Sequence, residues 1–506
     1  MNLLLDPIRK NREYGEIRKA LAAVRTAPRR YPSLVTGLCD GALDAFLAAQ
    51  LRDAQSGLPA LVIVPDEKTA LRLLGTLSGF GLRAEIYPDR DPVLYNIVSS
   101  HELEHERIAV LTALIEDRLD VVIATPTAAL SFTISEENLR AATRGITLGD
   151  VVEMDELAAF LTASGYVRDD LVDGKGKFSV RGGIIDIFPP HLRQPVRMEL
   201  FGDEVDQIGY FDLMTQRKTE NITDVMITCA REILLSDEKR KGLATLILRA
   251  SEKASMAEIK TSLMHEYEAL VTGMEISFSD KYISYIYPEK ITLLDYFGKD
   301  ALCFAVETPA VLDRVSGEEA HMMETTGELI KSGLLLPKYA DFSAENAALL
   351  SFFESHGALF LNNFVSSYPG KLAGTYSFSV RATPSVTGDF SILSEDIASY
   401  LRGKYTVLLL CENEVEAASM TTLLLENEIS AVHAPSLETE ACPGAVTVSH
   451  FGTRGFEMQA EKFVCISLAG GGTKTERALR RRAAKTNKTA SKTKEKILSY
   501  ADLDVG

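Results

Sequence analysis

No run of about 18 consecutive apolar residues occurs in this 506-residue sequence, so no stretch has the length that a bilayer-spanning helix needs. The longest apolar segments are strand-sized, such as Ala60 to Val64 and Val407 to Cys411. The start, MNLLLDPIRKNREY, meets an acid and a proline after three leucines and has no apolar core of signal-peptide length. A cytoplasmic protein is expected. Cysteine is sparse: Cys39, Cys229, Cys303, Cys411, Cys442 and Cys465 lie far apart with no C-x-x-C, which predicts buried reduced thiols and no structural zinc site. An excess of base is missing too. With 54 Lys and Arg against 71 Asp and Glu the net charge is -17, which excludes a protein that coats nucleic acid with its whole surface. Finally, G-K-[ST] occurs nowhere, so no working phosphate-binding loop of that type is available.

What is present reads as several globular units. At roughly 150 residues per domain the length suggests three or four. Residues 1–143 alternate short apolar strands with amphipathic helices. The clearest unit runs from ALVIVP (Ala60 to Pro65), through Asp66 as N-cap, into a helix carrying Leu71, Leu73, Leu74 and Leu77, and on to AEIYP (Ala84 to Pro88). With DVVIATP (Asp120 to Pro126) as another buried strand, this is a parallel α/β layer. From 144 to 230 the pattern becomes period-two strands and turns, the mark of a different, inserted α+β module. Helices return over 231–337, which makes an insertion splitting one α/β domain the economical reading. A further α/β domain is expected over 338–473. The basic run over 474–496 has ten Lys or Arg against Glu476 and Glu495 and reads as a solvated linker, with a tail, ILSYADLDVG, over 497–506.

Three motifs carry possible chemistry. His101-Glu102-Leu103-Glu104-His105 satisfies H-E-x-x-H, the spacing that puts two histidines on one helical face for zinc, yet Ile108 and Leu111 stand where the longer motif needs Gly and His. A plain helix start is the simpler reading. Thr36, Gly37, Gly41, Ala42 and Leu43 belong to a segment, TGLCDGAL, placed where a phosphate loop would sit, but Ala42 and Leu43 replace the Lys that reaches the phosphates and the Ser/Thr that holds magnesium. It is a degenerate nucleotide loop. In the inserted module, alternation along Pro195 to Phe201 buries Val196, Met198 and Leu200 and turns Arg197 and Phe201 outward; along Lys177 to Arg181 it buries Phe178 and Val180 and turns Arg181 outward. Arginine and aromatic side chains on an open sheet face suit a protein interface.

The stretch GKFSVRGGIIDIFPPHLRQPVRMELFGDEVDQIGYFD resembles the signature of the UvrB-like damage-recognition module. Together with GTRGFEMQAEKFVCISLAGGG, the basic run and ILSYADLDVG, the sequence resembles the N-terminal half of the bacterial transcription-repair coupling factors, the Mfd family. The resemblance implies a split P-loop-NTPase-like α/β domain that has lost its ATP chemistry, an inserted UvrB-like domain that binds the excision-repair protein UvrA, and a second α/β domain. It maps UvrA binding onto Arg181, Arg197 and Phe201. It also implies that 497–506 begins an RNA-polymerase-interacting domain, and that ATP, magnesium, RNA polymerase and most DNA contacts belong to downstream domains. No catalytic residue, metal or cofactor is then expected in this chain. The rival readings are a UvrB-like ATP-dependent repair enzyme, a zinc peptidase using His101 and His105, and a DNA-binding protein working through the basic run.

Overall fold

The computed structural model describes residues 1–54, 57–90, 101–254, 256–272, 279–383 and 390–468. The basic run, the tail at 497–506 and the glycine triplet before them lie outside the described residues.

Four strands open the chain: β1 (Ser33–Thr36), β2 (Ala60–Ile63), β3 (Ala84–Tyr87) and β4 (Val121–Ala124). Between β2 and β3 the helix Glu67–Gly79 starts as expected, with the Asp66 carboxylate accepting from the Thr69 N–H at 2.7 Å. The chain then leaves through β5 (Arg144–Thr147) into β6 (Val167–Arg168), β7 (Lys177–Arg181), β8 (Ile184–Ile187), β9 (Val196–Phe201), β10 (Glu204–Phe211) and β11 (Lys218–Ile222), and returns through β12 (Asp224–Ile227). Strands β5 and β12 pair antiparallel, so the way in and the way out of the module are tied together. Three more strands follow: β13 (Cys303–Val306), β14 (Leu359–Asn362) and β15 (Gly374–Ser377).

Those three return to the first sheet. Its order is β15-β1-β14-β13-β2-β4-β3, with every neighbouring pair parallel. Along β2, Leu61 and Ile63 enter one core while Ala60 and Val62 enter the other, so the strand is covered on both faces. That is why it reads as an unbroken apolar run. The result is α/β, with the inserted strands β6 to β11 forming a separate six-stranded sheet in the order β11-β10-β9-β8-β7-β6.

The last sheet contains β16 (Val380–Ala382), β17 (Thr406–Cys411), β18 (Ala431–His433), β19 (Val446–His450), β20 (Phe456–Met458) and β21 (Phe463–Ser467), ordered β16-β20-β21-β17-β19-β18. Here the structure departs from a boundary at 338. Strands β14 and β15 belong to the first sheet, and the last sheet begins only at Val380. One core also joins the two sheets, because Leu408, Leu410, Phe456 and Cys465 pack with Ala42, Leu43 and Phe46. The helix Asp40–Asp53 is buried from Gly41 through Gln50, squeezed between both sheets, which explains its apolar character all round.

Candidate partner-binding face and the Thr36 to Leu43 loop

The inserted sheet has two faces of different character. On the inner one, Phe178, Ile185, Ile187, Val196, Met198, Val205 and Ile208 are buried against the helix Met154–Ala163 through Leu157 and Leu161. On the outer one, strand pairing sets Ser179, Asp186 and Arg197 in one row, from Ser179↔Asp186 and Asp186↔Arg197, and Arg181, Ile184 and Glu199 in the next. A small cluster of Val172, Phe188 and Phe211 covers one end of this outer face. The end at the two hairpin turns stays open. There Phe201, the last residue of β9, is 85% exposed.

The two arginines are not equivalent. Arg181, half exposed, donates from Nη2 to Asp186 Oδ2 at 2.6 Å. Arg197 has only 18% of its side chain exposed. It donates from Nε and Nη2 to both Asp186 oxygens at 2.7 and 2.9 Å, and from Nη1 to the Gln216 carbonyl at 3.2 Å. Its guanidinium also lies over the Phe211 ring, 4.8 Å from the centroid. The Asp186 hydrogen bond and charge raise the Arg197 pKa against the cost of burial. Alternation therefore puts Arg197 on the right face, but the side chain folds down onto Asp186 instead of standing out. Asp186 itself has no exposed surface, and three charge-assisted hydrogen bonds hold its carboxylate. Sequence reasoning missed it. The signal was available, since a lone acid in the apolar run IIDIF, one strand away from an arginine on either side, needs a partner.

The Thr36 to Leu43 loop is filled by the chain itself. Thr36 ends β1, and its carbonyl accepts from the Phe378 N–H at 2.9 Å. Gly37 has φ +78°, and a Cβ placed there would fall 2.0 Å from the Phe378 carbonyl oxygen. At Gly41 a Cβ would fall 2.0 Å from the Arg454 carbonyl oxygen, and Ala42 and Leu43 are buried in the shared core. The Asp40 carboxylate at the start of the helix is paired with Arg454, with Arg72 3.9 Å away. Phosphate binding at a helix N-terminus needs free N–H groups and cations. Here two carbonyl oxygens and a carboxylate press on the loop, so its residues do not fit a nucleotide's phosphates.

The H-E-x-x-H segment also has a structural task. His101 Nδ1 lies 3.0 Å from Glu104 Oε2, and Glu104 accepts from Arg231 Nε at 3.1 Å and from the Glu232 N–H at 2.7 Å. Burial pushes the Glu104 carboxyl up, but His101, Arg231, Arg90 and the Glu232 N–H outweigh it and hold it far below the ordinary range. His105 packs on Gly176 of the inserted module, and burial lowers its pKa to about 4. The motif thus rivets the helix Glu102–Ile115 to the Arg231–Glu232 segment that follows β12. Among the described residues no group of three His, Cys, Asp or Glu is placed to hold a metal ion, and no helix is long and apolar enough to cross a membrane.

Residues 145–232, spanning β5 to the Glu104 rivet, match the family model of the UvrB interaction domain. The chain is similar to the transcription-repair-coupling factors. It is 28% identical over 492 residues to the factor of Staphylococcus haemolyticus, covering 94% of this chain and 40% of that protein. It is 27% identical over 527 residues to the factor of Staphylococcus aureus strain bovine RF122 / ET3-1, covering 100% of this chain and 43% of that protein. The chain thus spans about two fifths of the length of these curated relatives, and the similarity runs through all four sheets.

Proposed function

We propose that this chain is the recruiting part of a transcription-repair coupling factor, working by binding and not by catalysis, and that the outer face of its inserted sheet docks UvrA. The observation that carries the reading is Phe201: a large apolar ring left 85% exposed beside the Arg181–Asp186–Arg197 cluster, inside the segment that matches the UvrB interaction domain. An apolar anchor flanked by oriented guanidinium groups has the make-up of an interface hot spot. Arg181 offers its remaining N–H groups to acceptors on the partner, and Arg197 braces Asp186 from the covered side. In this reading the first sheet is a split, degenerate NTPase-like domain, kept as a scaffold after the carbonyls of Phe378 and Arg454 took up the phosphate space. RNA polymerase and DNA contacts, and any ATP-driven movement, are assigned to the part of such factors that this chain does not span. The test is a titration of the purified chain with UvrA. Arg181→Ala plus Phe201→Ala is expected to weaken binding by at least about 2 kcal/mol while the thermal unfolding midpoint holds. Wild-type affinity in that double variant rejects the assignment, and steady ATP turnover by the chain favours the UvrB-like enzyme instead.

A further inference from the structure

The first half of β10 has a second neighbour besides β9. Its residue Glu204 pairs with Phe201 on one side, and on the other forms an antiparallel bridge with Val151. Residues directly opposite in antiparallel strands point to the same face, with Cβ atoms about 5 Å apart. Val151, Glu204 and Phe201 therefore make one row across three strands, on the face that carries Arg181. Val151 is 77% exposed, a β-branched side chain left in water. The segment that holds it is not a slack loop. The Gly149 N–H donates to the Val205 carbonyl at 2.9 Å, the Val205 N–H to the Asp150 carbonyl at 2.9 Å, and the Val152 N–H to the Asp203 carbonyl at 2.7 Å. Leu148, at the start of the same segment, is also exposed.

Glu204 lies between the two apolar side chains, and among the described residues no hydrogen bond or ion pair holds its carboxylate. A partner that seats on Phe201 and Val151 covers that carboxylate as well. Taking an unpaired carboxylate out of water is costly, so a partner that binds here has to bring a cation to it. We propose that Val151 and Glu204 extend the Phe201 anchor into a three-strand ledge, and that the docking surface of UvrA meets this ledge with an apolar contact on each side of a Lys or Arg. The proposal rests on the assignment of Phe201 to the UvrA face and adds its second apolar anchor and its charge requirement.

The experiment is calorimetric titration of UvrA into the whole chain, comparing wild type, Phe201→Ala, Val151→Ser and Glu204→Lys, with Glu258→Lys on an exposed helix turn as a control for net charge. Far-UV circular dichroism and the unfolding midpoint verify that each variant is folded. Val151→Ser is expected to weaken binding about fivefold and Glu204→Lys about tenfold, the range in which interface truncations and like-charge contacts register. Glu258→Lys is expected to bind as wild type does. Wild-type affinity in both Val151→Ser and Glu204→Lys, while Phe201→Ala stays weak, overturns the ledge and leaves the UvrA face standing. If Phe201→Ala binds as wild type, or wild type does not bind UvrA, the underlying assignment falls and the ledge with it.

Discussion

Arg197 grips Asp186 with two parallel hydrogen bonds, Nε to Oδ1 at 2.7 Å and Nη2 to Oδ2 at 2.9 Å, around a carboxylate that has no exposed surface. Arg181 closes the same carboxylate from the open side. One buried acid thus sets the direction of both guanidinium groups on the outer sheet face.

Asp186→Ala leaves Arg197 partly buried without its counter-charge. Removing one partner of such a pair costs about 3–5 kcal/mol, and because Arg181 is half exposed the lower end is expected here. Urea unfolding measures it. In a cycle with Arg181→Ala, UvrA affinity is expected to be non-additive, the outcome for an Asp186 that acts on the proposed partner only through the arginines. Additive losses would show that Asp186 supports the fold alone.

Phe201→Ala is expected to change stability by less than about 0.5 kcal/mol, because an exposed side chain gains little from folding. The same variant is expected to lose UvrA affinity. A marked drop in unfolding midpoint would mean that the ring packs inside the chain and not on a partner.

Gly41→Ala tests how tightly the last sheet closes on the Thr36 to Leu43 loop. The added methyl meets the Arg454 carbonyl oxygen and sits near the Phe456 ring, 3.2 Å away. Overpacking of this kind costs about 1–3 kcal/mol. Thermal unfolding is expected to show the loss, and limited proteolysis an earlier cut in the segment around Arg454. An unchanged midpoint would mean that the two sheets part easily.

Burial holds His105 and His191 down at about 4, against about 6.5 in an unfolded chain. Between these values the unfolded chain takes up protons that the folded one refuses, so stability falls as pH drops from 7 towards 4. Glu104 acts lower down: its depressed pKa stabilises the fold above the ordinary carboxyl range and is lost only below about pH 4. Glu104 is therefore silent in the window from pH 7 to 5, where the two buried histidines act. His105→Gln is expected to shrink the stability difference across it by up to about 2 kcal/mol. Urea midpoints at the two pH values check this, and an unchanged slope would rule out His105 as a contributor.

Much of the local architecture was legible in the sequence. The Asp66 cap, the doubly buried run of β2 and the alternation along β9 are decided by residues two to four apart, whose geometry the backbone sets directly. That alternation also put Phe201 and Arg181 on the outer face. The H-E-x-x-H spacing was equally visible, but its use was not, because the groups that claim Glu104 are Arg231 and the Glu232 N–H, far along the chain.

By itself, then, the sequence determined the strand, helix and strand run from β2 to β3, which faces of β7 and β9 are apolar, and that the Thr36 to Leu43 loop lacks the cation and hydroxyl that nucleotide chemistry needs. Only the tertiary structure decided that β14 and β15 complete the first sheet, that Arg197 lies down on Asp186, that Arg454 and Phe378 fill the loop, and that Val151 stands in line with Phe201. The division has a physical cause. Propensity and side-chain period are short-range properties carried by neighbouring residues, whereas sheet membership, register and ion pairing depend on which distant segments gain most by packing together, a choice that the whole chain makes at once.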